Sequence, residues 1–166
     1  MPGFDYQGRF AYSLTLVTRT RATIFTADNI VTPCIEAMNR SLESYDFTLY
    51  AFCFMPDHLH LLVSGDDSSS LLRFAQHFKQ LSGFAYKKTT GANLWQISYW
   101  DRVLRSDEDL NSAARYIWGN PVRAGLVEDP RVYAFSGPKP LPEVWSRRAS
   151  ALQLLRWAPQ FLSPPD

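Results

Sequence analysis

The sequence predicts an α+β fold in which two helices cover one face of a four-stranded antiparallel sheet. Runs rich in aromatic and β-branched residues alternate with helically periodic segments in the order β-α-β-β-α-β-α. The first six elements match the split βαβ, or ferredoxin-like, arrangement, and the last helix is an addition to it. A length of 166 residues, with 46% hydrophobic and 20% charged residues, suits one folded domain with a buried core.

Four short runs with this strand-like composition are predicted to form the sheet. They span residues 9–18, 47–54, 58–63 and 95–104. A short segment that contains a proline separates the second run from the third. These two strands are therefore predicted to form an antiparallel hairpin.

Three helices are predicted from the spacing of apolar residues and from their end signals. The first begins near Asp28 or Thr32, and the second begins at Ser70. The third begins at 106–109, where a serine is followed by acids that suit the positive end of the helix dipole. It is predicted to end at Asn120, because a residue that precedes a proline disfavours the α conformation.

The composition divides the chain near residue 137, beyond which prolines become frequent. The predicted domain therefore spans 1–136. The predicted Pro-rich C-terminal tail spans 137–166 and includes a short amphipathic segment at 149–157.

Several features predict a cytoplasmic protein without a membrane partner. The longest apolar run, residues 49–55, is too short to span a bilayer, and residues 1–9 lack the apolar core of a signal peptide. Only two cysteines are present, Cys34 and Cys53, and they are far apart. This pattern excludes a disulfide framework and a zinc knuckle, and it fits a reducing compartment.

The net charge of +1 does not by itself indicate a nucleic-acid partner. A DNA-binding surface would need local clusters of cations, because screening limits phosphate attraction to short range. Candidate DNA-binding cations occur in the second helix and around the last helix: Arg73, Lys79, Lys87, Lys88, Arg102, Arg105, Arg115 and Arg123. Candidate base-stacking aromatics, for which buried packing is the alternative, are Trp95, Tyr99, Trp100 and Trp118.

The sharpest local feature is His58-Leu59-His60. Alternate side chains of a strand point to the same face, so both imidazoles are predicted to project together while Leu59 enters the core. Such a pair can begin a divalent-metal site, although a hydrogen-bonded surface pair is the alternative. Two ligands do not make a stable site, and the residues alone leave the further ligand open. The candidates are Asp57, Asp101, Asp107 and Asn120, of which Asp57 is interpreted as a turn residue.

Two segments that carry these residues resemble a known family. Residues 54–63 (FMPDHLHLLV) and 114–127 (ARYIWGNPVRAGLV) are similar to the REP-associated tyrosine transposases, a branch of the single-tyrosine HUH transposases. Residues 100–107 (WDRVLRSD) and 129–136 (DPRVYAFS) fit the same pattern. The resemblance covers roughly residues 10–136, in the order and at the separations that the family shows.

The resemblance implies an enzyme, its cofactor and its substrate. It makes Tyr116 the nucleophile, with His58 and His60 as the other catalytic residues, and it completes the metal site of the two histidines with Asn120. Tyr116 and Asn120 are four residues apart, and positions i and i+4 of a helix are neighbours, so the two side chains can act together. Imidazole and oxygen ligands suit Mg²⁺ or Mn²⁺.

The implied reaction is cleavage and rejoining of single-stranded DNA at hairpins or palindromic repeats, through a 5′-phosphotyrosine and a free 3′-OH. A monomer is favoured over a dimer. One alternative is a non-catalytic module of the same fold that binds single-stranded nucleic acid. Another is a metal-dependent hydrolase that uses water in place of Tyr116.

Overall fold

A computed structural model describes residues 10–104 and 107–141, without the side chains of residues 107–109. The strands are β1 (Ala11–Val17), β2 (Phe47–Met55), β3 (His58–Gly65), β4 (Trp100–Leu104) and β5 (Ser136–Gly137). The helices are α1 (Asp28–Ser44), α2 (Leu71–Thr90), α3 (Asp107–Trp118) and α4 (Asn120–Arg123). Arg105, the predicted serine cap at residue 106 and the tail from residue 142 onward lie outside the described residues.

The strands form one antiparallel sheet in the order β4-β1-β3-β2-β5. Its first four members have the split βαβ order, so the predicted fold class is confirmed, and the two-residue β5 is added beside β2. β3 is central, and its register places His60 between Thr15 of β1 and Cys53 of β2. The neighbouring pairs place His58 between Val17 and Met55.

Helices cover both faces of the sheet because both faces are apolar. α1 and α2 pack on one face, where the core includes Leu59, Leu61 and Val63 of β3. α3 packs on the other face, where Ile117 and Leu62 belong to a second core. The alternation along β3 therefore turns the leucines flanking His60 toward α1 and α2, and turns the imidazoles toward the side that α3 covers.

The end of α3 differs in detail from the sequence prediction. α3 ends at Trp118, and after Gly119 the chain forms α4 from Asn120. Pro121 lies in the first turn of α4, where a missing backbone N–H leaves no helical hydrogen bond unmade. The proline therefore starts a new short helix here.

The packed body continues past the predicted boundary at residue 137. Gly137 belongs to β5, and its carbonyl accepts a hydrogen bond of 2.9 Å from Nε1 of Trp118. Leu141 is buried in the α3-side core. Packing against β2 and α3 thus retains the first residues of the predicted tail.

The two cysteines are buried on opposite faces of the sheet and are not bonded to each other. Within the described ranges, no helix combines the length and apolar character needed to cross a bilayer.

Candidate active site

The centre of the candidate site is the pair of imidazoles on β3. Their rings are nearly perpendicular, with centroids 4.7 Å apart. Nε2 of His58 lies 3.1 Å from Nε2 of His60, so the two nitrogens face each other. The predicted projection of both rings from one face of a strand is observed.

Each imidazole is held at its other nitrogen. Nδ1 of His58 donates to Oδ1 of Asp57 at 2.6 Å, since a carboxylate can only accept. Nδ1 of His60 is 3.0 Å from the hydroxyl of Thr15, which can either donate or accept. These contacts orient the rings and allow a lone pair at both Nε2 atoms.

Sequence reasoning missed the role of Asp57. Asp57 lies in the two-residue turn between Met55 and His58, as interpreted from the sequence, but its carboxylate contacts His58, which that interpretation did not include. Arg21 also reaches this carboxylate, with Nη1 3.3 Å from Oδ2. The usable signal was adjacency to His58 at a tight turn.

The electrostatics keep the inner imidazole neutral. Burial, the neighbouring His58 and the charge of Arg123 lower the pKa of His60 to about 4, against a weaker opposing effect of Asp57. Partial burial raises the pKa of Asp57, but hydrogen bonds and charges from His58 and Arg21 outweigh it and lower that pKa overall. A neutral imidazole and an ionised carboxylate are the forms that metal ligation and its support require.

Tyr116 lies beside this pair on the same face of the sheet. Its ring centroid is 6.1 Å from that of His60, at an interplanar angle of 77°. The side chain is 56% exposed, so the phenol is not part of the hydrophobic core. The guanidinium of Arg123 covers the ring, with Cζ 4.1 Å from the centroid, and donates to the carbonyl oxygen of Tyr116.

Asn120 is attached to the turn that carries Tyr116. Its Nδ2 donates to the carbonyl oxygens of Tyr116 and Ile117 at 3.2 and 3.3 Å. Because the amide nitrogen makes both bonds, the amide oxygen is the atom that could ligate a cation. Asn120 is thus hydrogen-bonded to the backbone of Tyr116, and the ring of Tyr116 lies beside that of His60.

No group of three His, Cys, Asp or Glu side chains suited to a metal ion occurs within the part of the chain that the structure describes. The two Nε2 atoms nevertheless fit one ion. Two ligands about 2.1 Å from a cation in adjacent octahedral positions lie roughly 3 Å apart, close to the distance observed. A site here needs a further ligand of another type, such as the oxygen of a carboxamide.

Comparison with known proteins assigns the chain to a family. The family described as "Transposase IS200 like" matches residues 7–120, which include His58, His60, Tyr116 and Asn120. The chain belongs to this transposase family.

Curated relatives refine the assignment. A Haemophilus influenzae protein named as a REP-associated tyrosine transposase is 30% identical over 144 residues, covering 80% of this chain and 81% of that protein. The Escherichia coli REP-associated tyrosine transposase is 31% identical over 93 residues, covering 54% of this chain and 53% of that protein. The chain is therefore a member of the REP-associated branch, as the sequence motifs predicted.

Solved structures support the fold of this transposase. A REP-associated tyrosine transposase bound to a REP hairpin matches with a TM-score of 0.68 and 20% identity, covering 82% of this chain and 80% of that one. A transposase structure from Deinococcus radiodurans matches with a TM-score of 0.52 and 22% identity, covering 70% and 95%.

The predicted DNA-binding cations of the transposase fall on two sides of the sheet. The cations of α2, which are Arg73, Lys79, Lys87 and Lys88, belong to the layer opposite the imidazoles. Among them, Lys79 donates to the carbonyl oxygens of Gln96 and Ile97 at 2.6 and 2.7 Å, so it tethers that loop. Its partial burial also lowers its pKa.

Two of the predicted cations share the imidazole face. Arg102 is two residues before Leu104 on β4, so it points to the same face as that buried leucine, and Arg123 covers Tyr116. Arg115, on α3, is only partly exposed, and its Nε is buried without a hydrogen-bond partner among the described residues. Among the described cations, Arg102 and Arg123 thus lie on the imidazole face, and Arg21, which sequence reasoning did not single out, contacts Asp57.

The structure also separates the aromatics that the sequence could not rank. Trp95 and Trp118 are buried, and their Nε1 atoms donate to Ser82 and to Gly137. Trp100 is 56% exposed. His77, the third histidine, contacts the Ser41 hydroxyl at 3.0 Å between α1 and α2, away from the site.

Proposed function

We propose that this transposase cuts and rejoins single-stranded DNA at hairpin-forming repeats, with Tyr116 as nucleophile and His58, His60 and Asn120 as ligands of Mg²⁺ or Mn²⁺. The observation that carries the proposal is the pair of facing Nε2 atoms, 3.1 Å apart, with an exposed phenol beside them. Side chains that served only to bind nucleic acid would not require this arrangement.

The support for the cation comes from the hydrogen bonds of the imidazoles. Asp57 leaves the lone pair of neutral His58 on Nε2, and Thr15 permits the same tautomer of His60. Two lone pairs aimed at each other are repulsive unless a proton or a cation lies between them. A divalent ion held there would polarise the scissile phosphate and neutralise charge that develops on it.

The chain's own residues account for the covalent step. The phenolic oxygen of Tyr116 attacks phosphorus and loses its proton to solvent. The bond between phosphorus and the 3′-oxygen breaks, and that oxygen takes up a proton to become a 3′-OH. The phosphodiester is retained as a 5′-phosphotyrosine, so attack by a 3′-OH reverses the step and joins strands without ATP.

The substrate proposal draws on both the structure and a relative. The solved transposase with the matching fold is described as bound to a REP hairpin. We infer a hairpin or palindromic repeat with unpaired flanks as the substrate of this chain, with Arg102 and Arg123 near the backbone at the site. Because Tyr116 and His60 meet within one chain, we also propose that a monomer is sufficient.

The test is covalent capture from a library of DNA hairpins with single-stranded flanks of random sequence. After incubation with Mn²⁺ or Mg²⁺, a denaturing gel should show a protein–DNA adduct, and sequencing of the captured DNA identifies the cleaved bond. Tyr116→Phe and His58→Ala should abolish the adduct, whereas Tyr50→Phe, a change to a tyrosine outside the site, should not. Cleavage without an adduct would favour a hydrolase, and binding without cleavage would favour a non-catalytic module.

A further inference from the structure

An open cleft adjoins the imidazole pair on the side away from Tyr116. It is lined by Thr15, Val17, Arg21, His58 and Trp100 and has a volume of about 230 Å³. This is smaller than the roughly 300–1,000 Å³ of pockets that enclose small-molecule ligands. The cleft therefore suits one flat group of a larger ligand, with the remainder lying in solvent.

The sheet order fixes the position of this cleft relative to the nucleophile. β3, with both imidazoles, lies between β2 and β1, and Trp100 is on β4 beyond β1. α3 packs over β2 and β3, so Tyr116 approaches the imidazoles from one side. Trp100, which pairs with Thr15 across β1 and β4, lies on the opposite side of the imidazoles from Tyr116.

This arrangement has a consequence for an in-line displacement. The attacking and leaving oxygens of phosphoryl transfer lie on opposite sides of phosphorus. With the scissile phosphate at the imidazoles and Tyr116 attacking from the α3 side, the departing 3′-oxygen points toward the cleft. The sugar that carries this oxygen, and its base, belong to the nucleotide immediately 5′ of the cleaved bond.

We propose that Trp100 stacks the base of this nucleotide, and that Arg21 lies beside its backbone. The proposal rests on the proposed function, because it uses the direction of attack by Tyr116. An indole that is 56% exposed beside a catalytic histidine offers a flat apolar surface, and every base has a face that can stack on it. Arg21, 61% exposed, supplies positive charge at the same cleft while it also contacts Asp57.

The experiment is a mutant cycle on binding. Tyr116→Phe protein, which does not cleave, is titrated with the captured hairpin carrying a single abasic site at each unpaired position in turn. The same series is repeated with Trp100→Ala added. At one position, the abasic site should weaken binding by roughly 5- to 150-fold when Trp100 is present and have no effect when it is absent. That position should lie immediately 5′ of the cleaved bond.

Controls separate stacking from folding and from general affinity. Trp100→Leu retains apolar bulk without a ring and should behave like Trp100→Ala, whereas Trp100→Tyr should retain most of the coupling. Phe84→Ala removes an exposed ring of α2, on the opposite layer, and should leave the abasic-site profile unchanged. Thermal melting should show that each variant is folded.

The outcomes distinguish this inference from the proposed function. Additive effects of Trp100→Ala and the abasic site at every position would overturn the stacking role, and coupling only on the 3′ side would overturn the assigned direction. If no adduct forms with any DNA, the proposed function fails. The cycle on a hairpin with oligo-dT flanks then still decides whether Trp100 holds a base, and failure to bind any hairpin overturns both.

Discussion

The guanidinium of Arg123 lies over the ring of Tyr116, with Cζ 4.1 Å from the ring centroid, and it also donates to the carbonyl oxygen of the same residue. Arg123 is thereby joined to both the backbone and the ring of the candidate nucleophile. Because α4 follows α3 after a single glycine, this contact ties the two helices together at the site. A cation over the ring restricts where the phenol can move.

We expect Arg123→Gln to slow adduct formation at saturating DNA by roughly 2- to 30-fold, the range of a cation–π contact. Arg123→Lys should retain part of the rate. The measurement is the single-turnover rate of Tyr116 adduct formation, with DNA affinity determined separately. Arg131→Gln, a matched loss of charge at a residue paired with Asp129, should change affinity at most. An effect of Arg123→Gln confined to affinity would show that Arg123 contacts DNA without positioning Tyr116.

Asp57→Asn is expected to weaken Mn²⁺ binding by about 10- to 100-fold, as measured by calorimetric titration. The carboxylate fixes the proton of His58 on Nδ1 and so leaves Nε2 as a ligand. An amide can donate as well as accept, and it permits the wrong tautomer. Arg21→Ala leaves the His58 bond in place and should have a smaller effect. Equal affinity in Asp57→Asn and in the surface control Asp129→Asn would contradict the prediction.

The stability of the metal-free protein should depend on pH through His60. The pKa of the unfolded imidazole is near 6.5, whereas partial burial, the neighbouring His58 and the charge of Arg123 lower the pKa of the folded one to about 4. Between these values the unfolded state holds more protons. The free energy of unfolding therefore falls as the pH drops from about 6.5 to about 4, and it levels off below. Urea unfolding in EDTA measures this, and an unchanged slope in His60→Gln would refute it.

Gly137→Ala should destabilise the fold by about 1–3 kcal/mol, the range for overpacking a buried site. An added Cβ would lie 2.6 Å from the ring of Phe52, which is itself buried. Gly83→Ala is the control, since its Cβ would meet nothing closer than 3.8 Å and alanine favours the helix. Urea unfolding compares the two variants. An unchanged free energy of unfolding in Gly137→Ala would show that β5 adds little to the stability of the domain.

Much of the fold was predictable because the signals are local. The alternation of β3 sends Leu59 and His60 to opposite faces whatever the rest of the chain does. The split βαβ order followed from the succession of periodic segments, and it is confirmed. β5 was not predicted, because two residues carry no periodicity and pair only where β2 offers an edge.

The candidate site, like the fold, was predictable from the sequence only in part. The sequence by itself determined that His58 and His60 project together, and that Asn120 lies close to Tyr116, since both follow from the geometry of a few consecutive residues. Only the tertiary structure decided that α3 covers the imidazole face and that Trp100 is exposed while Trp118 is buried. It also decided that the cations of α2 lie on the opposite layer. These relationships depend on long-range burial, such as that of Ile117 near Leu62, and residues distant in sequence carry no local signal of which face of a sheet they will share.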